Sequence, residues 1–131
     1  MTEPFQTRAL SEDVDAIAPD QSEIRFLVQV QGGSMVHCSL PVGAVSLAVT
    51  HRTVAEVWYV VAGQGELWRQ QGDRQDVVTL RAGLSLSIPL GTQFQFRNTG
   101  TDPLQFIIVT MPPWPGADEA VRVPDYWPIS S

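Results

Sequence analysis

Short apolar runs separated by turn residues make up most of the chain. Gly, Pro, Asn and Asp occupy the gaps between the runs, a pattern typical of hairpins and loops in all-β proteins. No gap is long enough for a helical crossover, so the strands are predicted to be antiparallel. Nine strands are predicted: 24–30, 34–40, 44–49, 56–61, 65–69, 76–80, 85–88, 93–97 and 104–111.

The two ends of the chain differ from this pattern. Residues 1–23 are acidic and irregular and predict an arm with one short helical turn, lying across residues 24–111 or across a second subunit. Residues 112–131 contain five prolines and two tryptophans, too many prolines for a helix or a central strand. We expect Trp114, Tyr126 and Trp127 in this tail to pack over apolar surface.

Composition limits the classes of partner. The 131 residues are 44% hydrophobic, enough for one core and one domain. The net charge of -6 and the scattered arginines argue against nucleic acid. The positive charge is all arginine, so lysine Schiff-base chemistry is excluded. No apolar run approaches the ~20 residues of a membrane span. The first residues do not resemble a signal peptide, so a cytoplasmic location is expected.

Cys38 is the single cysteine, which excludes an intrachain disulfide and a cysteine-based zinc cluster. It lies in a strand-like run, where a lone cysteine is typically a small buried apolar residue.

The run 56–61 carries the first candidate chemistry. Strand alternation places Glu56 and Trp58 on one face and Val57 and Tyr59 on the other. Both faces are largely apolar, which predicts a strand covered on both sides. A carboxyl at its start either ends a hairpin in solvent, pairs with an arginine, binds a cation, or acts as an acid–base group with a raised pKa.

Two segments resemble the motifs of the cupin family. HRTVAEVWYVVAGQG (51–65) is similar to the first motif, which runs His-x-His, three or four residues, Glu, and a strand ending in Gly-x-Gly. GLSLSIPLGTQFQFRN (83–98) is similar to the second: Gly, five residues, Pro-x-Gly-x-x-His, three residues, Asn. The resemblance covers roughly 34–111 and implies an all-β double-stranded β-helix, a jelly-roll barrel, as a single cupin domain. We therefore expect an arm (1–23), a barrel (24–111) and a tail packed on it (112–131).

The same resemblance implies a metal site whose ligand set is incomplete here. Metal-binding cupins use two His and a Glu from the first motif and a His from the second. His51 and Glu56 keep their places, but Thr53 and Phe94 stand where the other two His would be. Fe, Mn, Ni or Zn needs three or four N, O or S ligands, so His51 and Glu56 alone are an incomplete set.

Three other residues are candidates for replacement ligands. His37 is the only other histidine, on the strand before the first motif. Gln93 and Gln95 flank Phe94, and they point away from the barrel interior if Phe94 and Phe96 point inward. A bulge after residues 89–91 would reverse that assignment.

Three hypotheses for function follow. The first is a small-molecule enzyme of isomerase, epimerase, dehydratase or cyclase type, with His51 and Glu56 as the catalytic pair. The second is a metal-dependent cupin, an oxygenase or metal-assisted isomerase, and the third is a binding module without catalysis. In the first, a sugar or polyketide-like ring lies in an aromatic pocket, and in the third the ligand is apolar or sugar-like. The family implies a homodimer. The predicted substrate-binding residues are Thr53, Trp58, Gln93, Phe94 and Phe96.

Overall fold

A computed structural model describes residues 3–129 and shows eleven strands and one 3-10 turn. The elements are β1 (Ala16–Ile17), β2 (Glu23–Val30), β3 (Gly33–Leu40), β4 (Val49–His51), β5 (Ala55–Ala62), β6 (Gln64–Gln71), β7 (Arg74–Arg81), β8 (Ser85–Ile88), β9 (Gln93–Asn98), β10 (Leu104–Met111), the 3-10 turn (Ala117–Glu119) and β11 (Ala120–Arg122).

The strands form two sheets that face each other. One sheet has the order β1-β2-β3-β10-β5-β8, and the other has the order β11-β4-β9-β6-β7. Every pairing between these strands is antiparallel, as the absence of crossover segments predicted. The predicted all-β jelly-roll barrel is confirmed.

Eight of the nine predicted strands are present, with bounds that differ by a few residues at most. The prediction of a strand over 44–49 was wrong, because β4 begins only at Val49. Before it, Val45 makes a single bridge to Arg97, and the N–H of Leu47 is donated to the carbonyl of Asp20 in the N-terminal segment. The apolar residues of 44–48 lie in the loop between β3 and β4. Their apolar character alone does not distinguish such a loop from a strand.

The helical turn expected in the N-terminal arm is also absent from residues 3–23. A strand, β1, pairs there with β2, placing Ala16 opposite Ile24. Asp15 fixes this pairing: its N–H is donated to the carbonyl of Ile24, and its carboxylate accepts the N–H of Phe26. This acidic residue of the arm thus supports strand pairing instead of beginning a helix.

Aromatic side chains fill much of the barrel interior. Trp58 stacks on Phe106 with ring centroids 4.3 Å apart and meets Phe94 and Phe96 edge to face. All four rings are buried. Edge-to-face and stacked contacts of this kind add to the free energy of area burial, so the cluster is a rigid floor for the space above it.

The two faces of β5 differ in exposure, contrary to the expectation that both are covered. Glu56 and Trp58 point inward and are buried, whereas Val57, Tyr59 and Val61 on the outer face are 44%, 51% and 41% exposed. The apolar outer face resembled a buried face in the sequence because alternation reports which residues share a face and not what lies over it.

The tail packs on the outer face of the second sheet. Tyr126 stacks on Trp68 at 5.2 Å, and Arg97 lies over the ring of Trp127 at 4.4 Å. Gln95, fully buried, ties the tail to the barrel: its carbonyl accepts the N–H groups of Tyr126 and Trp127, and its amide donates to the carbonyls of Ser46 and Trp127.

Candidate functional site

A cavity of about 670 Å³ lies over the aromatic floor, between the two sheets. Strands β2, β3, β4, β5, β9 and β10 line its inside, and the two chain ends complete its walls through residues 16–20 and 114–117. The barrel alone therefore forms only part of the cavity.

His51 and Glu56 meet at this cavity, on either side of a short loop. His51 ends β4 and Glu56 is the second residue of β5, so the loop 52–54 brings the two side chains together. His51 Nδ1 and Glu56 Oε2 are 3.8 Å apart, and both residues are buried. Glu56 Oε1 accepts a hydrogen bond of 2.9 Å from the indole N–H of Trp58, two residues along the same face. That contact fixes one carboxyl oxygen and leaves the other toward the histidine.

Burial moves the two pKa values in opposite directions, because the loss of water destabilises the charged form of each group more than its neutral form. Burial lowers the pKa of His51 to about 4, against an opposing attraction from Glu119. The pKa of Glu56 is raised to about 8, mainly by burial. The hydrogen bond from Trp58 lowers it, and the negative charges of Asp20 and Glu119 also raise it. At pH 7 the carboxyl therefore holds a proton and the imidazole does not.

Aromatic edges surround the imidazole ring. Phe94 and Trp114 meet it edge to face, with centroids 5.2 Å and 5.1 Å away. Within residues 3–129, His51 Nδ1 is buried without a hydrogen-bond partner. The site thus offers one proton donor and one free acceptor in an apolar, aromatic surrounding.

The structure brings together four of the predicted site residues: His51, Glu56, Trp58 and Phe94 all line the cavity. The other three lie elsewhere.

Phe96 is in the floor beneath Trp58, fully buried. Thr53 turns away and donates its hydroxyl to Glu119. Gln93 lies opposite Thr50 and Gln70 on the two neighbouring strands, on the outer face of the second sheet. No bulge reverses β9, so Gln93 and Gln95 point away from the interior.

His37 also faces away from the cavity. It is buried on the outer side of β3, where its Nε2 lies 3.0 Å from the side-chain oxygen of Gln105. Its neighbour Val36 lines the cavity instead. Strand alternation therefore keeps His37 out of the site.

The side chains at this site do not fit the transition-metal centre that the motifs imply. At one of the two missing ligand positions stands the phenyl ring of Phe94, which cannot bind a metal. At the other stands Thr53, whose hydroxyl donates a hydrogen bond to Glu119. Within residues 3–129 no three His, Cys, Asp or Glu side chains are grouped as a metal would require. The two donors that keep their places, His51 and Glu56, fall short of the three or four that such a metal needs.

Three residues of the surroundings were not predicted as site residues, although Trp114 was expected to pack over apolar surface. Asp20 lines the cavity and accepts hydrogen bonds from the N–H and hydroxyl of Ser22; burial raises its pKa. The backbone N–H of Trp114 donates a hydrogen bond to the hydroxyl of Ser34. Glu119 is buried beside the 52–54 loop. All three lie outside the motifs, and nothing in the sequence distinguishes Glu119 from Asp118 and Asp125 in the same tail.

Fold and cavity together define a jelly-roll barrel with an internal site of small-molecule size. The family model described as Cupin domain matches residues 36–110, more than half of the chain. The chain belongs to the cupin family.

The curated relatives are much longer proteins. The Xanthan biosynthesis protein XanB of Xanthomonas campestris pv. campestris (strain B100) is 38% identical over 85 residues, which are 65% of this chain and 17% of that protein. The same protein from strain ATCC 33913 is 35% identical over the same shares. The chain thus spans about a sixth of the length of the curated relatives it matches.

Solved structures resemble the chain in fold. KdgF from Halomonas sp. has a TM-score of 0.65 at 20% identity, covering 77% of this chain and 88% of that one. A predicted oxalate decarboxylase from Thermotoga maritima has a TM-score of 0.66 at 18% identity, covering 82% and 98%. CapF has a TM-score of 0.70 at 17% identity, covering 89% of this chain and 35% of that one. At these identities the comparison supports the fold alone.

As for membranes, residues 3–129 contain no helix with the length and hydropathy of a membrane span.

Proposed function

We propose that this cupin is a small-molecule enzyme that moves a proton on a ring-shaped substrate bound in the cavity. The observation that carries the proposal is the pairing of His51 Nδ1 with Glu56 Oε2 at 3.8 Å, with the pKa of the imidazole lowered by burial to about 4 and that of the carboxyl raised by burial to about 8. An acid and a base poised on either side of neutral pH are the requirement for concerted acid–base catalysis.

The chemistry that suits this pair is an isomerisation or epimerisation next to a carbonyl group. Glu56 donates its proton to the carbonyl oxygen while His51 takes a proton from the adjacent carbon, which gives an enol. In the second step His51 gives its proton to a different carbon, or to the same carbon on its other face. Glu56 takes a proton back from an oxygen of the enol, so both side chains are restored. Trp58, Phe94 and Trp114 hold the ring and keep water from the reacting atoms.

Solvent-deuterium exchange tests the proposal for any substrate that carries a proton beside a carbonyl group. Hexoses and cyclic hydroxyketones that raise the melting temperature of the protein are incubated with it in D2O, and loss of that proton is followed by NMR. We expect exchange by the natural chain and a loss of about 100-fold or more in His51→Ala and in Glu56→Gln. His37→Gln, on the other side of the sheet, is the matched control and keeps full activity.

A cupin that only binds its ligand gives a different result. The compound raises the melting temperature of the natural chain, but its proton exchanges with D2O no faster than in the absence of protein. Equal exchange by His51→Ala and the natural chain contradicts the assigned roles. Elemental analysis of tag-free protein tests the metal-dependent alternative, and a stoichiometric transition metal required for exchange contradicts a metal-free mechanism.

The proposed catalysis has a defined pH dependence. The acid form of Glu56 is lost as pH rises through about 8, and the neutral form of His51 is lost as pH falls through about 4. The rate therefore has a plateau between these values and declines on both sides.

We also propose that the chain forms a homodimer through the outer face of β5 and its neighbour β10. Val57, Tyr59 and Val61 are exposed there, and Met111 at the end of β10 is 39% exposed. A contiguous apolar face of this kind is typical of an interface between subunits.

A further inference from the structure

A buried carboxylate from the tail holds the loop between the two proposed catalytic residues. Glu119 ends the 3-10 turn and is 4% exposed. Its carboxylate accepts the backbone N–H of Thr53 at 2.6 Å, the N–H of Val54 at 2.9 Å and the hydroxyl of Thr53. Its own carbonyl accepts the N–H of Arg52 at 3.0 Å. Glu119 thus binds every residue of the loop 52–54.

The strand that follows Glu119 places it beside His51. β11 pairs with β4 so that Ala120 lies opposite His51. The same tail supplies Trp114, which packs on the imidazole ring. His51 is therefore enclosed by the tail on two sides, and residues 112–122 lie outside the segment that the cupin family model matches.

Glu119 is charged without a cationic partner. Among residues 3–129 no ion pair includes it. Arg52 is adjacent to the site, but its guanidinium Nε donates to the carbonyl of Asp118. Burial raises the pKa of Glu119, but the hydrogen bonds from Thr53 and Val54 and the nearby His51 outweigh burial and lower it. The carboxylate therefore stays ionised, and among residues 3–129 no cation lies within ion-pair distance to cancel its negative charge.

Charged and titratable groups approach His51 from several elements. Glu56 faces it from β5, Asp20 acts on Glu56 from the N-terminal segment, and Phe94 on β9 carries no charge. Two exposed arginines are also near: Arg52, the next residue, donates to the carbonyl of Asp118, and Arg8 lines the same cavity. The ring of His51 is the group beside Glu119 that becomes positive when it takes up a proton.

We propose that Glu119 is a positioning residue of this site: it holds the loop that joins His51 to Glu56, and its negative charge stabilises the His51 ring when the ring accepts a proton. The inference rests on the proposed function, in which His51 is the base. It adds a third residue to the pair and gives the tail a role in the chemistry.

NMR titration of the two histidines tests this independently of turnover. Spectra are recorded from pH 7 down to pH 5.0, above the isoelectric point near 4.6, and His37 serves as the internal reference. In Glu119→Gln we expect the protonated fraction of His51 at pH 5.0 to fall at least about threefold. Asp118→Asn, an exposed neighbour, and Thr53→Val, which removes one hydrogen bond but leaves the charge, change it by less than about 1.5-fold.

Two results would overturn the proposal. One is an unchanged His51 titration in Glu119→Gln. The other is a fall in the protonated fraction of His51 in Thr53→Val as large as that in Glu119→Gln, since this would mean that Glu119 acts only by holding the loop. Should Glu119→Gln fail to fold, Glu119→Asp keeps the charge with a shorter reach. It is expected to retain the titration of His51 within about twofold while melting at a lower temperature, and a larger fall contradicts the inference. If catalysis is absent but the His51 shift is found, the proposed function fails and the electrostatic coupling stands.

Discussion

At the scale of single residues, the site is governed by the removal of water. His51 and Glu56 carry no charge at neutral pH because the aromatic floor and walls exclude the solvent that would stabilise their ions. Glu119 shows the opposite outcome, because three donors from the loop 52–54 and the nearby His51 outweigh the effect of burial and lower its pKa. Loss of water dominates at Glu56, and hydrogen bonds dominate at Glu119.

Glu56 makes folding stability depend on pH in a predictable direction. Its pKa is raised by burial to about 8, above that of the unfolded chain, so its contribution is complete at low pH and is lost as pH rises through about 8. Glu56→Gln keeps an oxygen acceptor for Trp58 and cannot ionise. We expect its free energy of unfolding, relative to the natural chain, to increase by a few kcal/mol (on the order of 2–4) between pH 5 and pH 9.

Urea unfolding at several pH values, followed by tryptophan fluorescence, measures this difference. Glu66→Gln, at a partly exposed carboxylate paired with Arg97, is the control and is not expected to gain stability with rising pH. A constant difference between Glu56→Gln and the natural chain would show that Glu56 ionises freely in the fold.

At the scale of elements, the strands followed from the sequence better than the site did. Alternating apolar residues and regular turns are local properties, so eight strands could be predicted, and the resemblance to the cupin motifs implied the jelly-roll barrel. His51 and Glu56 could be predicted as well, because both lie within one motif. The contacts that Glu119, Asp20 and Trp114 make with the site could not, because they depend on how two irregular ends fold back over the barrel.

The Gly-x-Gly that follows β5 is required by close packing between strands. A Cβ at Gly65 would lie 2.8 Å from Leu104 Cδ2 and closer still to the carbonyl oxygen of Arg97. Backbone cannot move easily in the middle of a sheet, so we expect Gly65→Ala to destabilise the fold by about 2–4 kcal/mol. Gly32→Ala, where a Cβ meets nothing within 4 Å, is the matched control and is expected to change stability by less than about 1 kcal/mol.

Thermal and urea unfolding of the two glycine variants give the comparison. Equal stability of Gly65→Ala and Gly32→Ala would mean that β6 and β9 separate more readily than the register of Gly65 opposite Asn98 indicates.

At the scale of the whole molecule, the two sheets have different outer surfaces. The second sheet is covered by the tail, which stacks Tyr126 on Trp68. The first sheet leaves Val57, Tyr59 and Val61 exposed on β5, between β10 and the edge strand β8. This asymmetry supports the proposed homodimer.

Tyr59→Glu tests the dimer directly. A carboxylate at the centre of an apolar interface loses its water without gaining a partner, so we expect it to convert dimer to monomer at micromolar concentration. Light scattering coupled to size exclusion measures the mass. Tyr126→Glu, on the opposite outer surface, is the control and remains dimeric. A natural chain that is a monomer at these concentrations contradicts the proposal.

The walls built by residues 16–20 and 114–117 have a practical consequence for laboratory work and for engineering. A truncation that reaches either segment removes part of the cavity wall. Ligand screens should therefore use protein that keeps both ends. The same property makes the two ends suitable for directed evolution: libraries there can change which compound is accepted, and residues 36–110 can stay untouched.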